Sequence, residues 1–475
     1  MEGRAPPDDM IGQPPSLSRA WSLFRDPVTA EKRALLAERW SELDPGVKIA
    51  GQGLGRKATG CGATIGIQPK CDFSCTGCYL GSEANQIPPM PLRAVLDQLD
   101  LLRARLGPKS NVQITDGEVT LRPVEELVEI LRYARSIGIV PMLMTHGDNF
   151  RRQPGLLERL MVEGFLTEVS IHIDITQRGR DGYRSPRSEV ELMPLRDEYA
   201  TMLRQARKTT GRRLRAAMTM TITRDNVSQV SDVVSWLIPN RDAFSLVSFQ
   251  PLAQVGRTRK NLQGVTPAEL WNEVSKATTA YGLNIPGTEP MHFGHPDCTR
   301  FVPILAVQPK GSDRPKLIQF IRDEPADVRI MEEFFEEGLG GVAFRDDLPL
   351  EMAARGAGML TSNPRFLLGR GRRWVNQRLR EELDSSLFSL LIKGATKQVR
   401  VDGLTLTSHH FMSPDELNTD TGRARLDACV FRLPYNGEMV PMCQMNAGGV
   451  RDKMYAELTA SAAAVPRPVA LSPTV

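Results

Sequence analysis

Ala63-Thr64-Ile65-Gly66-Ile67-Gln68 and, after Pro69-Lys70, Cys71-Asp72-Phe73-Ser74-Cys75-Thr76-Gly77-Cys78-Tyr79 decide how this chain folds. The first six residues are a short apolar, β-like run. The segment behind them holds three cysteines in eight residues, spaced CxxxCxxC. Seven cysteines in a chain of 475 residues do not suggest a disulfide framework, and crowded thiols in a reducing compartment read first as metal ligands.

The β-like run is the first of a series. Others cover Val112–Thr115, Val140–Thr145, Glu168–Asp174, Ala217–Thr223 and Ser245–Gln250. Amphipathic helical stretches fall between them, near Pro91–Leu106, Arg122–Ser136, Gly155–Glu163, Glu189–Thr209 and Val227–Ile238. Six strands alternating with helices predict a parallel α/β sheet or barrel. The runs end in polar residues: Thr115-Asp116-Gly117-Glu118, Thr145-His146-Gly147-Asp148, His172-Ile173-Asp174, Thr223-Arg224-Asp225-Asn226 and Gln250-Pro251. Such residues also suit ordinary turns and caps. Five polar endings in register point instead to a shared site, because strand-to-helix loops of a parallel barrel converge at that end.

Composition sets the outer limits. Sixty basic against 56 acidic residues leave a net charge of +4, too balanced to indicate nucleic acid. Pro6, Pro7, Asp8 and Asp9 interrupt the N-terminus, so a signal peptide is not expected, and a cytoplasmic location is. The expected organisation is an N-terminal extension over 1–58, partly disordered but with a helix near Thr29–Leu43. A core barrel follows over 59–260, an α+β accessory domain over 261–460, and a disordered Ala/Pro/Val-rich tail over 461–475. In the accessory part, Thr266–Tyr281 reads as a helix, Phe301–Gln308 as a strand, Arg365–Lys397 as one or two helices, and Gln398–Leu458 as loop-rich.

Three thiolates on a tight loop each take one iron of a cubane cluster. Without a fourth cysteine, one iron stays open to a small molecule. A zinc site is the structural alternative, but it usually pairs two short Cys/His hairpins. The triplet, placed after the first of six strands, resembles the radical S-adenosylmethionine (SAM) superfamily over about residues 60–250. That resemblance implies a partial (β/α)6 barrel in which Cys71, Cys75 and Cys78 hold a [4Fe–4S] cluster. SAM chelates the open iron, and one electron, from a donor such as flavodoxin or ferredoxin, releases a 5′-deoxyadenosyl radical. Many members carry an aromatic before the third cysteine; Gly77 stands there, so Tyr79 is expected to cover the adenine. Asp116-Gly117-Glu118 resembles the family's Gly-Gly-Glu segment, which implies that Glu118 and nearby backbone receive the SAM ammonium. On the fourth strand, His172 and Asp174 share a face with Ser170. The resemblance makes Asp174 a candidate for the SAM ribose and Arg178 for its carboxylate, with His172 either a contact or a buried, bonded histidine.

Cys61, Cys298, Cys429 and Cys443 lie outside the triplet. Cys298 closes His292-Phe293-Gly294-His295-Pro296-Asp297-Cys298, and Cys429 and Cys443 bracket Arg432-Leu433-Pro434-Tyr435-Asn436-Gly437, an expected hairpin turn. They are candidates for a second [4Fe–4S] cluster, with Cys61 or a histidine completing it, or else buried free thiols. His410-Phe411-Met412, Cys429, Pro434, Gly437, Pro441-Met442-Cys443, Asn446 and Arg451 resemble the C-terminal part of tetraether-synthase-like enzymes and class D radical SAM methyltransferases. That branch implies C–C bond formation or methyl transfer at an unactivated carbon of a lipid or pterin-like substrate. Peptide or cofactor maturation, or a metal-stabilised binding module, are the alternatives. The basic stretch Arg365–Trp374 suits either a solvated helix face or peripheral contact with an anionic membrane.

Overall fold

The computed structural model describes residues 17–60, 63–285, 291–344 and 348–464. Strands β1 (Ala63–Gly66), β2 (Asn111–Thr115), β3 (Val140–Thr145), β4 (Glu168–His172), β5 (Arg215–Ile222) and β6 (Leu246–Pro251) pair in parallel, each with the next. Helices Leu92–Leu106, Val124–Ser136, Leu156–Glu163, Met193–Thr210 and Val230–Leu237 make the crossovers. The pattern behind them is simple. Val95, Leu99, Leu102 and Leu106 recur at helical spacing and are buried, as are Val112 and Ile114 at strand spacing. They meet in one core between helices and sheet, where each large aliphatic contributes roughly 1.5–3 kcal/mol. The other face of each strand points inward. It carries Gln113, Ser170, Thr219 and Gln250 beside Met144, and the interior is hollow rather than packed.

The accessory part does not start a separate sheet. β7 (Thr299–Pro309), β8 (Lys316–Gln319) and β9 (Val399–His409) extend the first one, in the order β1-β2-β3-β4-β5-β6-β9-β7-β8. β9 runs parallel to β6, with Leu246 opposite Thr405, and antiparallel to β7. β9 lies in the stretch expected to be loop-rich, and its pairing on both sides makes it a strand inside the sheet. Two further helices, Pro325–Glu336 and Pro349–Ser362, were not anticipated.

The expected hairpin exists: β10 (Arg432–Tyr435) pairs with β11 (Glu438–Pro441) around Asn436 and Gly437, at φ 50° and 80°. Both turn residues have the left-handed backbone that a two-residue hairpin needs. Helix Leu17–Arg25 starts inside the segment expected to be disordered, and helix Val450–Ala464 runs past the expected start of the tail. The rest of the two disorder expectations lies outside the described residues, as does Cys61. The basic stretch is anchored: Phe366 is buried, Arg370 pairs with Glu333 at 3.0 Å, and the Trp374 indole N–H donates to Asp327 at 2.7 Å. No helix among the described residues is long and apolar enough to cross a membrane.

Candidate functional site

The cysteine loop leaves β1 and is tied down on two sides. On one, the Ser74 N–H donates to the Arg178 carbonyl at 3.0 Å and the Thr76 N–H to the Thr176 carbonyl at 2.8 Å. On the other, the Cys78 N–H donates to Thr258 Oγ1 at 3.1 Å and the Arg259 N–H to the Thr76 carbonyl at 2.9 Å. The loops after β4 and β6 thus hold the segment after β1, and the three thiols line one cavity of about 220 Å³ at the C-terminal strand ends. Gly77 has a steric reason: a Cβ there would lie 2.7 Å from Leu252 Cδ1. None of the three is in a disulfide. Burial, with Cys78 and Asp174 adding to it, pushes the Cys75 thiol up to about 12. Burial and then Cys75 raise Cys71 as well. The nearest cation is Arg257. Burial disfavours its charge, but Cys78 more than offsets this and raises it. Its Nε is buried with no partner. A guanidinium beside three thiols, with one donor orphaned, suits a negatively charged sulfur cluster.

The second and third strand ends meet through Glu118, which is 1% exposed. Its Oε1 accepts from the Thr120 N–H at 3.1 Å, Thr120 Oγ1 at 2.5 Å and Thr145 Oγ1 at 2.6 Å. Its Oε2 accepts from the His146 N–H at 2.8 Å, with His146 Nε2 at 3.3 Å. Glu118 lines the cavity, yet both oxygens already serve the protein. Replacing it by Gln turns one oxygen into a donor aimed at other donors. We expect Glu118→Gln to lower unfolding stability by roughly 1.5–3 kcal/mol, read by chemical denaturation, and to weaken SAM binding in titration. Unchanged stability with weakened SAM binding would mean that Glu118 serves only the ligand.

Asp116 is corrected. It does not line the cavity. It turns away with φ 83° to accept from Arg451 at 2.6 Å and the Tyr455 hydroxyl at 2.8 Å, on the C-terminal helix. Gly117, next to it at φ 79°, does line the cavity, and a Cβ there would lie 2.4 Å from the Lys70 carbonyl. Tyr79 lines the cavity too; its hydroxyl bonds Thr115 Oγ1 at 3.3 Å and Arg451 sits 4.8 Å over its ring.

Asp174 is likewise corrected. It is 1% exposed and accepts from the Thr176 N–H, Thr176 Oγ1 and Thr221 N–H at 2.6–2.7 Å. Its Oδ2 stands 2.6 Å from His172 Nε2. Burial opposes its charge, but His172 and these donors win and lower its pKa. Asp174 orients His172, and His172 is the residue that reaches the cavity. Arg178 does not reach it: its guanidinium returns to the Ile175 and Gln177 carbonyls, and the neighbouring Gln177 lines the wall instead.

A second cluster of donor atoms, Cys71, Asp72 and His146, has its ligand atoms within 4.8 Å of one another. His146 Nδ1 accepts the Asp148 N–H at 3.0 Å, so Nε2 carries the proton and donates to Asp72 at 2.8 Å. Burial would raise the Asp72 carboxyl, yet His146 and Arg152 hold it well below the carboxylate range. Phe73 stacks on the His146 ring at 3.8 Å, with Arg180 5.1 Å over its other side. The loop is therefore clamped by charge and by stacking.

The family model of the radical SAM superfamily matches residues 65–236, from β1 into the helix after β5. Among solved structures, SuiB of Streptococcus suis bound to precursor peptide SuiA is 14% identical at TM-score 0.35, over 53% of this chain and 50% of that one. The structure of anSMEcpe with bound AdoMet is 14% identical at TM-score 0.33, over 46% and 60%. The FeFe-hydrogenase maturase HydG from Carboxydothermus hydrogenoformans is 10% identical at TM-score 0.34, over 81% and 88%. The chain spans about half to three-fifths of the length of the first two. No curated protein sequence matches it.

Beyond residues 65–236, Cys298 lies near Cys429 and Cys443, which follow it more than a hundred positions later in the chain. Cys298 Sγ accepts from Arg425 Nε at 3.2 Å, the Cys429 thiol donates to the Phe431 carbonyl at 2.9 Å, and Cys443 Sγ accepts from the Met412 N–H at 3.3 Å. Burial, with Cys429 and Cys298 adding to it, pushes Cys443 up to about 12. Cys443 also lines the main cavity, beside Phe411, Met412, Phe431 and Asn446. Nothing local in the sequence marks Arg257 and Thr258; the fold alone carries them to the cysteine loop.

Proposed function

We propose that this chain cleaves SAM reductively at a [4Fe–4S] cluster and takes hydrogen from a substrate carbon held inside the barrel. The observation that carries this is the convergence of Cys71, Cys75 and Cys78 with the ends of β2, β3, β4 and β6 on one cavity. When bound, the cluster supplies the electron that breaks the SAM sulfonium and yields the adenosyl radical. The three thiolates hold it, and Arg257 balances its charge. Of the residues expected to touch SAM, Tyr79, Gly117, Glu118 and His172 are the ones that reach the cavity. Asp116, Asp174 and Arg178 are positioning residues behind them. Phe411, Met412, Phe431 and Met442 cover the cavity from the accessory side, where they keep water from a reactive carbon radical.

We assign Cys298, Cys429 and Cys443 to a second iron–sulfur site, on the strength of their convergence beside the main cavity. The outcome of hydrogen abstraction is either C–C bond formation or methyl transfer on a lipid or pterin-like molecule, or peptide or cofactor maturation. Mass spectrometry of anaerobic incubations with cell extract separates these. The rival of another class is a binding module with a structural metal at Cys71, Asp72 and His146. Metal analysis decides: iron with equal sulfide in a brown protein supports the enzyme, and one zinc per chain in a colourless protein overturns it.

A further inference from the structure

The cavity at the cysteine loop continues through the barrel. Gln113, Met144, Ser170, Thr219, Gln250 and Phe431 line both it and a second cavity of about 520 Å³ towards the N-terminal strand ends. Lys32, on helix Ala30–Glu42, and Lys57, in the loop before β1, line that far end. Lys32 Nζ donates to the Leu106 carbonyl at 3.0 Å and lies 3.5 Å from Thr59 Oγ1. Lys57 Nζ donates to the Val342 carbonyl at 3.1 Å. An ammonium has three donors, so both keep N–H groups for a ligand.

Among the described residues, no carboxylate pairs with either lysine. Burial pulls Lys32 down to about 8; Glu31 opposes this, and Lys57 and Arg103 each add a lesser lowering. Burial lowers Lys57 as well. Two partly buried cations with no paired carboxylate among the described residues, at one end of a cavity, are a standing cost that an anion relieves. The stretch between the ends is polar. The amides of Gln113 and Gln250 face the cavity with no hydrogen bond to another described residue. Around the lysines the walls are apolar, with Phe293, Phe301, Val342 and Phe344. Neither lysine is marked by any motif.

We propose that the barrel takes an elongated organic acid end-on, its carboxylate or phosphate seated between Lys32 and Lys57 and its reacting carbon at the cysteine loop. The reacting end rests on the SAM-cleaving reading; the lysine end stands on the second cavity alone. The test titrates the anaerobically purified full chain with 4-phenylbutyrate, 4-phenylbutyl phosphate and neutral 4-phenylbutanol. At least one acid binds about tenfold or more tightly than the alcohol, and the tighter of the two names the anion. Lys32→Met and Lys57→Met each remove that preference, Lys32→Arg restores part of it, and Lys276→Met, on the surface, leaves it intact. Circular dichroism and SAM titration on the same samples show that the variants are folded. Equal binding of acids and alcohol, or a preference that survives both Met substitutions together, overturns the proposal. If the lysine-dependent preference appears but SAM is not cleaved, the SAM reading fails and the anion site stands. If SAM is cleaved without that preference, the reverse holds.

Discussion

Replacing Cys71, Cys75 and Cys78 together by alanine removes one cluster of iron and abolishes formation of 5′-deoxyadenosine. The effect is complete rather than graded, because the three thiols that line one cavity are lost together. The fold survives. The loop is held by main-chain bonds from Ser74, Thr76 and Arg259 and by Thr258, none of which uses a thiol. Far-UV circular dichroism therefore stays as in the wild type, while iron, sulfide and activity fall together. If Cys298, Cys429 and Cys443 hold a second cubane, the variant retains about four irons per chain. A colourless variant, with wild-type iron at no more than one cubane, marks those three as buried free thiols. Wild-type iron and full 5′-deoxyadenosine formation in the variant contradict the assignment of the loop.

Asp116→Asn destabilises the protein by about 3–5 kcal/mol, the usual result of stripping one partner from a buried ion pair. Asp116 and Arg451 are 2% and 3% exposed, so neither falls back on water. Asn keeps the size of Asp, and no cavity opens. What is lost is the charge that balances Arg451 and anchors helix Val450–Ala464 to the end of β2. Denaturant unfolding measures the loss. The double variant Asp116→Asn/Arg451→Met recovers much of it, since no charge is then left buried alone. A single variant within 0.5 kcal/mol of wild type, which is about the scatter of surface substitutions, shows that the pair is not structural. The same change loosens Tyr79, whose ring lies beneath Arg451, so SAM binding weakens along with stability.

The two aspartates show where the sequence stops being informative. The six strands were legible because each is a local apolar run beside an amphipathic helix, and the cysteine loop was legible because its spacing is chemical. Asp116 stands in a motif, and from the motif alone it belongs to the ligand. Its true partner lies 335 positions away on Arg451, and no local pattern encodes that pairing. Asp174 was read as part of the fourth strand. β4, however, ends at His172, and the carboxylate closes on Thr176, Thr221 and His172. β9 lies in a stretch read as loop-rich, and only pairing to β6 and β7 makes it a strand. Lys32 and Lys57 sit in what the sequence presents as a mere extension, and only the enclosed interior gives them a task.

The most direct test of the central claim is one assay. The anaerobically reconstituted wild-type chain is incubated with SAM and dithionite, and the products are separated by liquid chromatography with mass detection. The account predicts 5′-deoxyadenosine and methionine in equal amounts, and none without reductant. A protein that carries its iron and sulfide, binds SAM, and still releases no 5′-deoxyadenosine contradicts it.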